Sequence, residues 1–224
     1  MRPCFLFDLD GTVADNGEGI LKSAQYALDA FGFPNQPEEK LRLFVGPPLD
    51  QSFRELYGMS QEEALRAIAK YRERYSVTGV LENHLYPGIS ELLRDLAQIG
   101  QVCLATSKPQ VFAEKILETR GVRQCFSLVV GAELSGERTD KGEVIEAALQ
   151  GLGDPPRDWA VMVGDRKFDV EAGRALGLVT VGVDYGYAPP GEMDQCRPAY
   201  RAATVEELAA LLKAWAAGKG ETER

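Results

Sequence analysis

The sequence predicts an α/β fold, a doubly wound parallel sheet interrupted directly after its first strand by an all-helical insertion. Phe5, Leu6 and Phe7 form an apolar run without alternation, the pattern of a strand buried on both faces of a parallel sheet. From about residue 87 onward, short apolar runs alternate with helix-period segments, as strands and crossover helices do. Between these regions, residues 16–81 carry only helix-period patterning.

The first strand runs straight into Asp8-Leu9-Asp10-Gly11-Thr12. Ile20, Leu21, Ala24, Ala27, Leu28 and Phe31 then recur at three- and four-residue spacings, in a helix ended by Gly32 and Pro34. A polar, proline-containing stretch leads to Leu41, Leu43, Phe44 and Val45, then to Gly46-Pro47-Pro48. A second helix is expected over 49–57. A third starts near Ser60, which has capping-box spacing to Glu63, and runs toward Tyr75.

Beyond Tyr86, helices are expected over 87–99, 109–119, 141–149, 168–176 and 205–215. Strands are expected over 102–105, 126–130, 159–163 and 179–183. Pro109 stands at a helix start, Thr204 and Glu207 suggest the cap of the last helix, and residues after Ala217 read as frayed and polar. The chain therefore divides into an α/β core of residues 1–15 and 82–224 and a helical insertion of residues 16–81, with hinges at 16–19 and near 82–83. An insertion directly after a candidate active strand is placed to open and close over that strand's end. A stabilising decoration is the alternative.

The net charge of −9, from 25 basic and 34 acidic residues, argues against a general nucleic-acid binder and against adsorption to an anionic membrane. An anionic substrate must then be met by a few cations at one site. Cys4, Cys103, Cys125 and Cys196 are widely spaced and form no C-x-x-C pair. They read as reduced core thiols. No segment resembles a signal peptide, and no apolar run is long enough to span a bilayer, so a cytoplasmic protein is expected.

Asp8 and Asp10 leave one buried strand together. Burying carboxylates without a partner is costly, and a cation or a shared proton best relieves their repulsion. Other polar groups follow predicted strands at the edge where open α/β sheets bind ligands. They are Thr106-Ser107-Lys108-Pro109 and Gly164-Asp165, the latter with Asp169 in the run GDRKFD. Between them, Lys141 opens a helix after the polar loop GERTD. Taken singly, Thr106 could cap the next helix and Lys141 could be a solvated helix residue. Arg166 and Lys167 read as solvated charges, and His84 as a hinge-packing residue. Arg42 and Arg54 fit either substrate contact or a solvated face.

The set of DLDGT, a Thr after an apolar strand, an isolated Lys and GDRKFD, in that order, resembles the haloacid dehalogenase (HAD) superfamily of phosphotransferases. The resemblance covers essentially the whole chain, with a Rossmann-like HAD core and the insertion similar to that superfamily's helical C1 cap. FVGPPLDQSF, ENHLYPGI, ATSKPQVFAEKIL and MVGDRKFDV resemble a bacterial 5′-nucleotidase-like branch close to the phosphoglycolate phosphatases. One departure is Asp15-Asn16-Gly17, where relatives more often carry Asp-Ser; it touches the cap hinge.

The resemblance implies a Mg²⁺-dependent phosphomonoester hydrolase. Asp8 would be the nucleophile that forms an aspartyl-phosphate, and Asp10 the general acid and then base. The single histidine, His84, lies outside the motifs, so a carboxylate must move the proton. Asp8 and Asp165 would ligate Mg²⁺ through carboxylates, and Asp10 through its backbone carbonyl. Thr106, Ser107 and Lys141 would hold the phosphate, and Asp169 would either bind the metal through water or orient Lys141. The expected substrates are small phosphorylated metabolites, with nucleoside 5′-monophosphates first and phosphoglycolate second. A sugar phosphomutase and a phospho-receiver signalling protein are further alternatives. No nucleic-acid polymer or membrane is expected as a partner, and the chain is expected to be a monomer or weak homodimer.

Overall fold

The apolar run at the start of the chain forms β1 (Cys4–Phe7), fully buried, in a computed structural model that describes residues 2–135 and 137–221. Gly136, in the polar loop before Lys141, and residues 222–224 of the polar C-terminal end lie outside the described residues. A short strand β2 (Ala14–Asp15) follows, and then four helices: α1 (Gly17–Ala30), α2 (Glu38–Leu41), α3 (Leu49–Tyr57) and α4 (Gln61–Tyr75). β3 (His84–Leu85) pairs antiparallel with β2, placing Asp15 opposite His84. The helical insert thus leaves and returns through one two-stranded ribbon.

The remainder alternates: α5 (Ile89–Ile99), β4 (Gln101–Pro109), α6 (Gln110–Thr119), β5 (Leu128–Ala132), α7 (Lys141–Gly151), β6 (Ala160–Gly164), α8 (Lys167–Ala175), β7 (Val179–Val183), α9 (Glu192–Cys196), β8 (Tyr200–Ala202) and α10 (Val205–Glu221). The six long-sheet strands run in the order β5-β4-β1-β6-β7-β8, all parallel, with β1 between β4 and β6. Phe5 and Phe7 join a core that includes Leu92, Leu93, Leu208 and Leu212 of α5 and α10. Cys4 and Leu6 join the other core, with Val144, Ile145 and Ala148 of α7. Both faces of β1 are therefore dry, which is why its sequence shows no alternation. The Ser60–Glu63 capping box is realised at α4: Glu63 N donates to Ser60 Oγ at 3.3 Å, and Ser60 N donates to Glu63 Oε2 at 2.8 Å. All four cysteines are buried free thiols.

Several boundaries differ from the sequence expectation. β4 continues to Pro109, through a register shift against β5 between Ala105 and Pro109. β5 starts two residues late because Arg123–Cys125 form a 3-10 turn, and β6 starts after a similar turn over Arg157–Trp159. α10 extends past the expected end at 215 to Glu221. The short elements α2, α9 and β8 escape periodicity, since a few residues carry too little of it.

Candidate active site

The four acidic residues meet because two strand ends and one helix start converge at the C-terminal edge of the sheet. Asp8 N continues the ladder by donating to Val163 O at 2.9 Å. The chain then reverses at Gly11, whose φ is +83°, and a Cβ there would lie 2.1 Å from Asp165 Oδ2. Only glycine permits that conformation and that approach. Asp8, Asp10, Asp165 and Asp169 are all buried, none more than 7% exposed.

Asp8 faces Lys141, the first residue of α7, whose N-terminus is capped by Asp140 accepting from Gly142 N at 2.8 Å and Glu143 N at 3.2 Å. Lys141 Nζ donates to Asp8 Oδ1 at 2.7 Å and to Ala105 O at 3.2 Å. It also lies 2.9 Å from Asp169 Oδ1 in a buried ion pair, so one ammonium serves two carboxylates. Asp169 Oδ2 accepts from Arg166 N at 3.1 Å. Asp165 accepts from Tyr187 N at 2.7 Å and from Thr12 Oγ1 at 3.4 Å.

Asp10 turns the other way. Its Oδ1 accepts from Asn16 Nδ2 at 2.6 Å, and its Oδ2 pairs with Lys108 Nζ at 2.9 Å. Asn16, which marks the departure in the hinge sequence, thus touches one of the central carboxylates. Burial pushes the Asp10 carboxyl up; Lys108 pulls it back, Asp8 raises it further, and Asn16 lowers it.

Carboxylate oxygens of Asp8, Asp165 and Asp169 lie within 4.8 Å of one another. Burial, then Asp8 and Asp169, hold Asp165 well above the usual carboxylate range. Burial raises Asp169 to about 6 despite the opposing charge of Lys141. Burial opposes the charge on Lys141, but Asp169 and Asp8 raise it above the ordinary lysine value. Four buried carboxylates face two buried ammoniums, so full ionisation leaves two negative charges unmatched. A hard divalent cation fits that deficit and the all-oxygen donor set.

A family model described as haloacid dehalogenase-like hydrolase matches residues 5–183. The chain belongs to this family. A 5′-nucleotidase of Pseudomonas aeruginosa is 38% identical over 94% of this chain and 96% of its own length. The tyrosine-protein kinase PtkA of Mycobacterium tuberculosis is 39% identical over 91% of this chain and 70% of its own. The crystal structure of "a predicted phosphatase" from Clostridium acetobutylicum has a TM-score of 0.91 at 38% identity, covering 95% of this chain and 98% of that one. The expected HAD fold and phosphatase-type hydrolase therefore stand. Among the described residues no helix is long and apolar enough to cross a membrane.

In this HAD hydrolase the remaining sequence candidates fall into two groups. Thr106 is buried at the shifted end of β4, where its Oγ1 accepts from Lys108 N at 3.3 Å. It does not cap α6, which starts beyond Pro109. Ser107 and Lys108 line a cavity of about 650 Å³ between the insert and the core, with Asp10 at its floor. Its apolar walls include Phe44, Leu65, Ile68 and Tyr75 from the insert and Phe112 from α6. Tyr75 stacks on Tyr71 at 5.1 Å, places its ring centroid 4.9 Å from Lys108 Nζ, and buries a hydroxyl with no hydrogen-bond partner among the described residues.

Arg42 and Arg54 are half exposed and pair with Glu38 and Asp50 on their own helical segments. The side chain of His84 is 70% exposed on the ribbon, 3.8 Å from Asp15, rather than packed into a hinge. Lys167 is exposed as expected, but Arg166 is buried and ion-paired with Glu192, because α9 brings a carboxylate against it. Sequence reasoning placed Lys108 at the sheet edge without giving it a role, and missed Tyr185 and Tyr187. Tyr185 donates to Thr12 O at 3.1 Å, and Tyr187 Oη donates to Asp15 Oδ1. Their available signal was position: Lys108 lies at the C-terminal end of β4, and Tyr185 and Tyr187 follow β7, at the same sheet edge.

Proposed function

We propose that this chain is a Mg²⁺-dependent phosphomonoester hydrolase that acts through an aspartyl-phosphate on Asp8. The observation that carries the reading is the division between the two neighbouring aspartates. Asp8 sits among Lys141, Asp165 and Asp169, whereas Asp10 turns to Lys108 and Asn16 at the cavity floor. Two carboxylates from one loop thus meet different partners, as distinct nucleophilic and proton-transfer roles require.

Asp8 attacks phosphorus, forming a new P–O bond as the ester P–O bond breaks. Asp10 gives a proton to the departing alkoxide; burial, which raises its carboxyl, favours the protonated form needed for that step. Water then attacks the aspartyl-phosphate, Asp10 takes its proton, and inorganic phosphate leaves with Asp8 restored. Lys141, Thr106 and Ser107 hold the phosphate oxygens, and phosphoryl transfer depends chiefly on such positioning. Asp8 and Asp165, with the Asp10 carbonyl, would hold Mg²⁺, and Asp169 supports Lys141 beside them. Mg²⁺ supplies charge neutralisation for the phosphate dianion.

Helices α1–α4, within residues 16–81, act as a cap over the core of residues 1–15 and 82–224. The cavity they enclose supports a nucleoside 5′-monophosphate as substrate. Its aromatic walls suit a nucleobase, whereas phosphoglycolate has no ring to cover them. The test is kcat/KM across a panel of nucleotides, phosphoglycolate and sugar phosphates. Nucleoside monophosphates are expected to lead. A preference for phosphoglycolate over every nucleotide would reverse the substrate assignment while leaving the chemistry in place.

A further inference from the structure

Arg166 connects the carboxylate cluster with the helical insert. It follows Asp165 directly, and Asp169 Oδ2 fixes its backbone N–H at 3.1 Å. Its buried guanidinium pairs with Glu192 of α9, Nε to Oε1, at 2.9 Å, and Nη1 donates to Val45 O in the insert. Glu192 Oε1 also accepts from Lys167 N at 3.0 Å, so its carboxylate grips the chain beside Asp165 at two points. On the insert side, Gly46 has a φ of +105°, and a Cβ there would lie 2.7 Å from Arg166 Nη1. The turn and the guanidinium are fitted to each other. Gly46, Pro47, Pro48 and Leu49 then continue along the cavity wall.

We infer that Arg166 is a positioning residue that seats the 45–49 turn of the insert over the leaving-group side of the cavity. Substrate selection is thereby tied to the loop that carries Asp165. A guanidinium suits this task because its several fixed donors serve a carboxylate and a carbonyl at once. Another arginine contact between insert and core, Arg72 Nη1 to Leu134 O at 3.1 Å, lies at an exposed position, where water competes. Burial makes the Arg166 contact the stronger constraint on the closed arrangement. The leaving-group role rests on the phosphatase reading above, whereas the seating of the turn does not.

The experiment compares wild type with Arg166→Met, Arg166→Lys and Gly46→Ala in the full chain. Steady-state kinetics use adenosine 5′-monophosphate and acetyl phosphate, whose leaving group is too short to reach the turn. In Arg166→Met, KM for the nucleotide is expected to rise about tenfold, with a smaller fall in kcat and a smaller loss toward acetyl phosphate. Backbone hydrogen exchange over residues 45–53 should accelerate, while the thermal shift on adding Mg²⁺ persists. Gly46→Ala should reproduce the KM effect from the opposite side, and the double variant should fall short of the product of the two. Should Arg166→Met fail to fold, Arg166→Lys and Gly46→Ala carry the same readouts.

Unchanged exchange over 45–53 overturns the inference. So does an equal loss toward both substrates together with loss of the Mg²⁺ shift, since Arg166 would then serve only the Asp165 loop. If wild type turned over no phosphomonoester, the phosphatase reading would fail, and the exchange comparison would still decide the seating of the turn.

Discussion

The sheet edge and the helical insert face each other across one cavity and are made of opposite materials. At the edge, four buried carboxylates and two buried lysines are held by strand ends, a capped helix start and backbone donors. Across the cavity, the insert presents Phe44, Leu65, Ile68 and Tyr75. Under the proposed function, charges fixed by many partners would treat every phosphate alike, whereas an apolar wall joined through a two-stranded ribbon would select by shape. One methylene in such a pocket discriminates by only ~1–3 kcal/mol, so sharp chemistry with a broad substrate range is expected.

The comparison breaks first at Asp8. Asp8→Asn should lower kcat toward p-nitrophenyl phosphate by roughly 10⁴-fold, with the fold intact by circular dichroism. Activity that survives in this variant would sink the covalent reading. Lys141→Met comes next, because it strips Asp8 and Asp169 of their shared cation. Removing one partner from a buried ion network costs about 3–5 kcal/mol, measurable by urea unfolding, and Asp169→Asn in the same chain should restore part of it. A Lys141→Met chain as stable as wild type would show that the charges at the edge are not coupled as described.

A smaller effect follows from pH. Asp10, Asp165 and Asp169 all have carboxyls raised in the folded chain. Groups raised in this way contribute stability that is fully present below the ordinary carboxylate pKa of about 4 and is lost as pH rises through their folded values. Metal-free protein should therefore lose stability as pH rises from about 4 through 6 and beyond, relative to the Mg²⁺-loaded protein. The Tm gain on adding Mg²⁺ should be larger at neutral pH than at mildly acid pH. An equal gain at both would contradict the charge deficit assigned to the site. The smallest effect belongs to the insert. Tyr75→Phe removes a hydroxyl with no partner, so stability should hold or rise by up to ~1 kcal/mol, and kcat/KM should change little. A tenfold loss would make that wall a polar reader rather than an apolar one.

The same division governs what the sequence reveals. β1, α3 and β7 are legible because local patterning defines them: the apolar run from Phe5 to Phe7, the 49–57 helix after Pro47-Pro48, and the apolar 179–183 run. Asp8, Asp10, Lys141, Asp165 and Asp169 are legible because each stands at a strand end or a helix start, and the structure gathers all five. Lys108 and Arg166 are not, because a buried charge looks like a surface charge until its partner is known. The partner of Arg166 is Glu192, on a five-residue helix too short to announce itself. β8 is hidden for a related reason: two of its three residues, Tyr200 and Arg201, are exposed at the sheet edge.

The central claim, that Asp8 takes the phosphoryl group and Asp10 moves the proton, is tested most directly in Asp10→Asn with p-nitrophenyl phosphate. Its leaving group departs without a proton, so the first step should proceed while the second, which needs a base to activate water, stalls. Rapid mixing with Mg²⁺ should give a stoichiometric burst of p-nitrophenol, and intact-mass and peptide analysis should find one phosphoryl group on Asp8. Linear turnover at the wild-type rate, with no burst and no adduct on Asp8, would contradict the account.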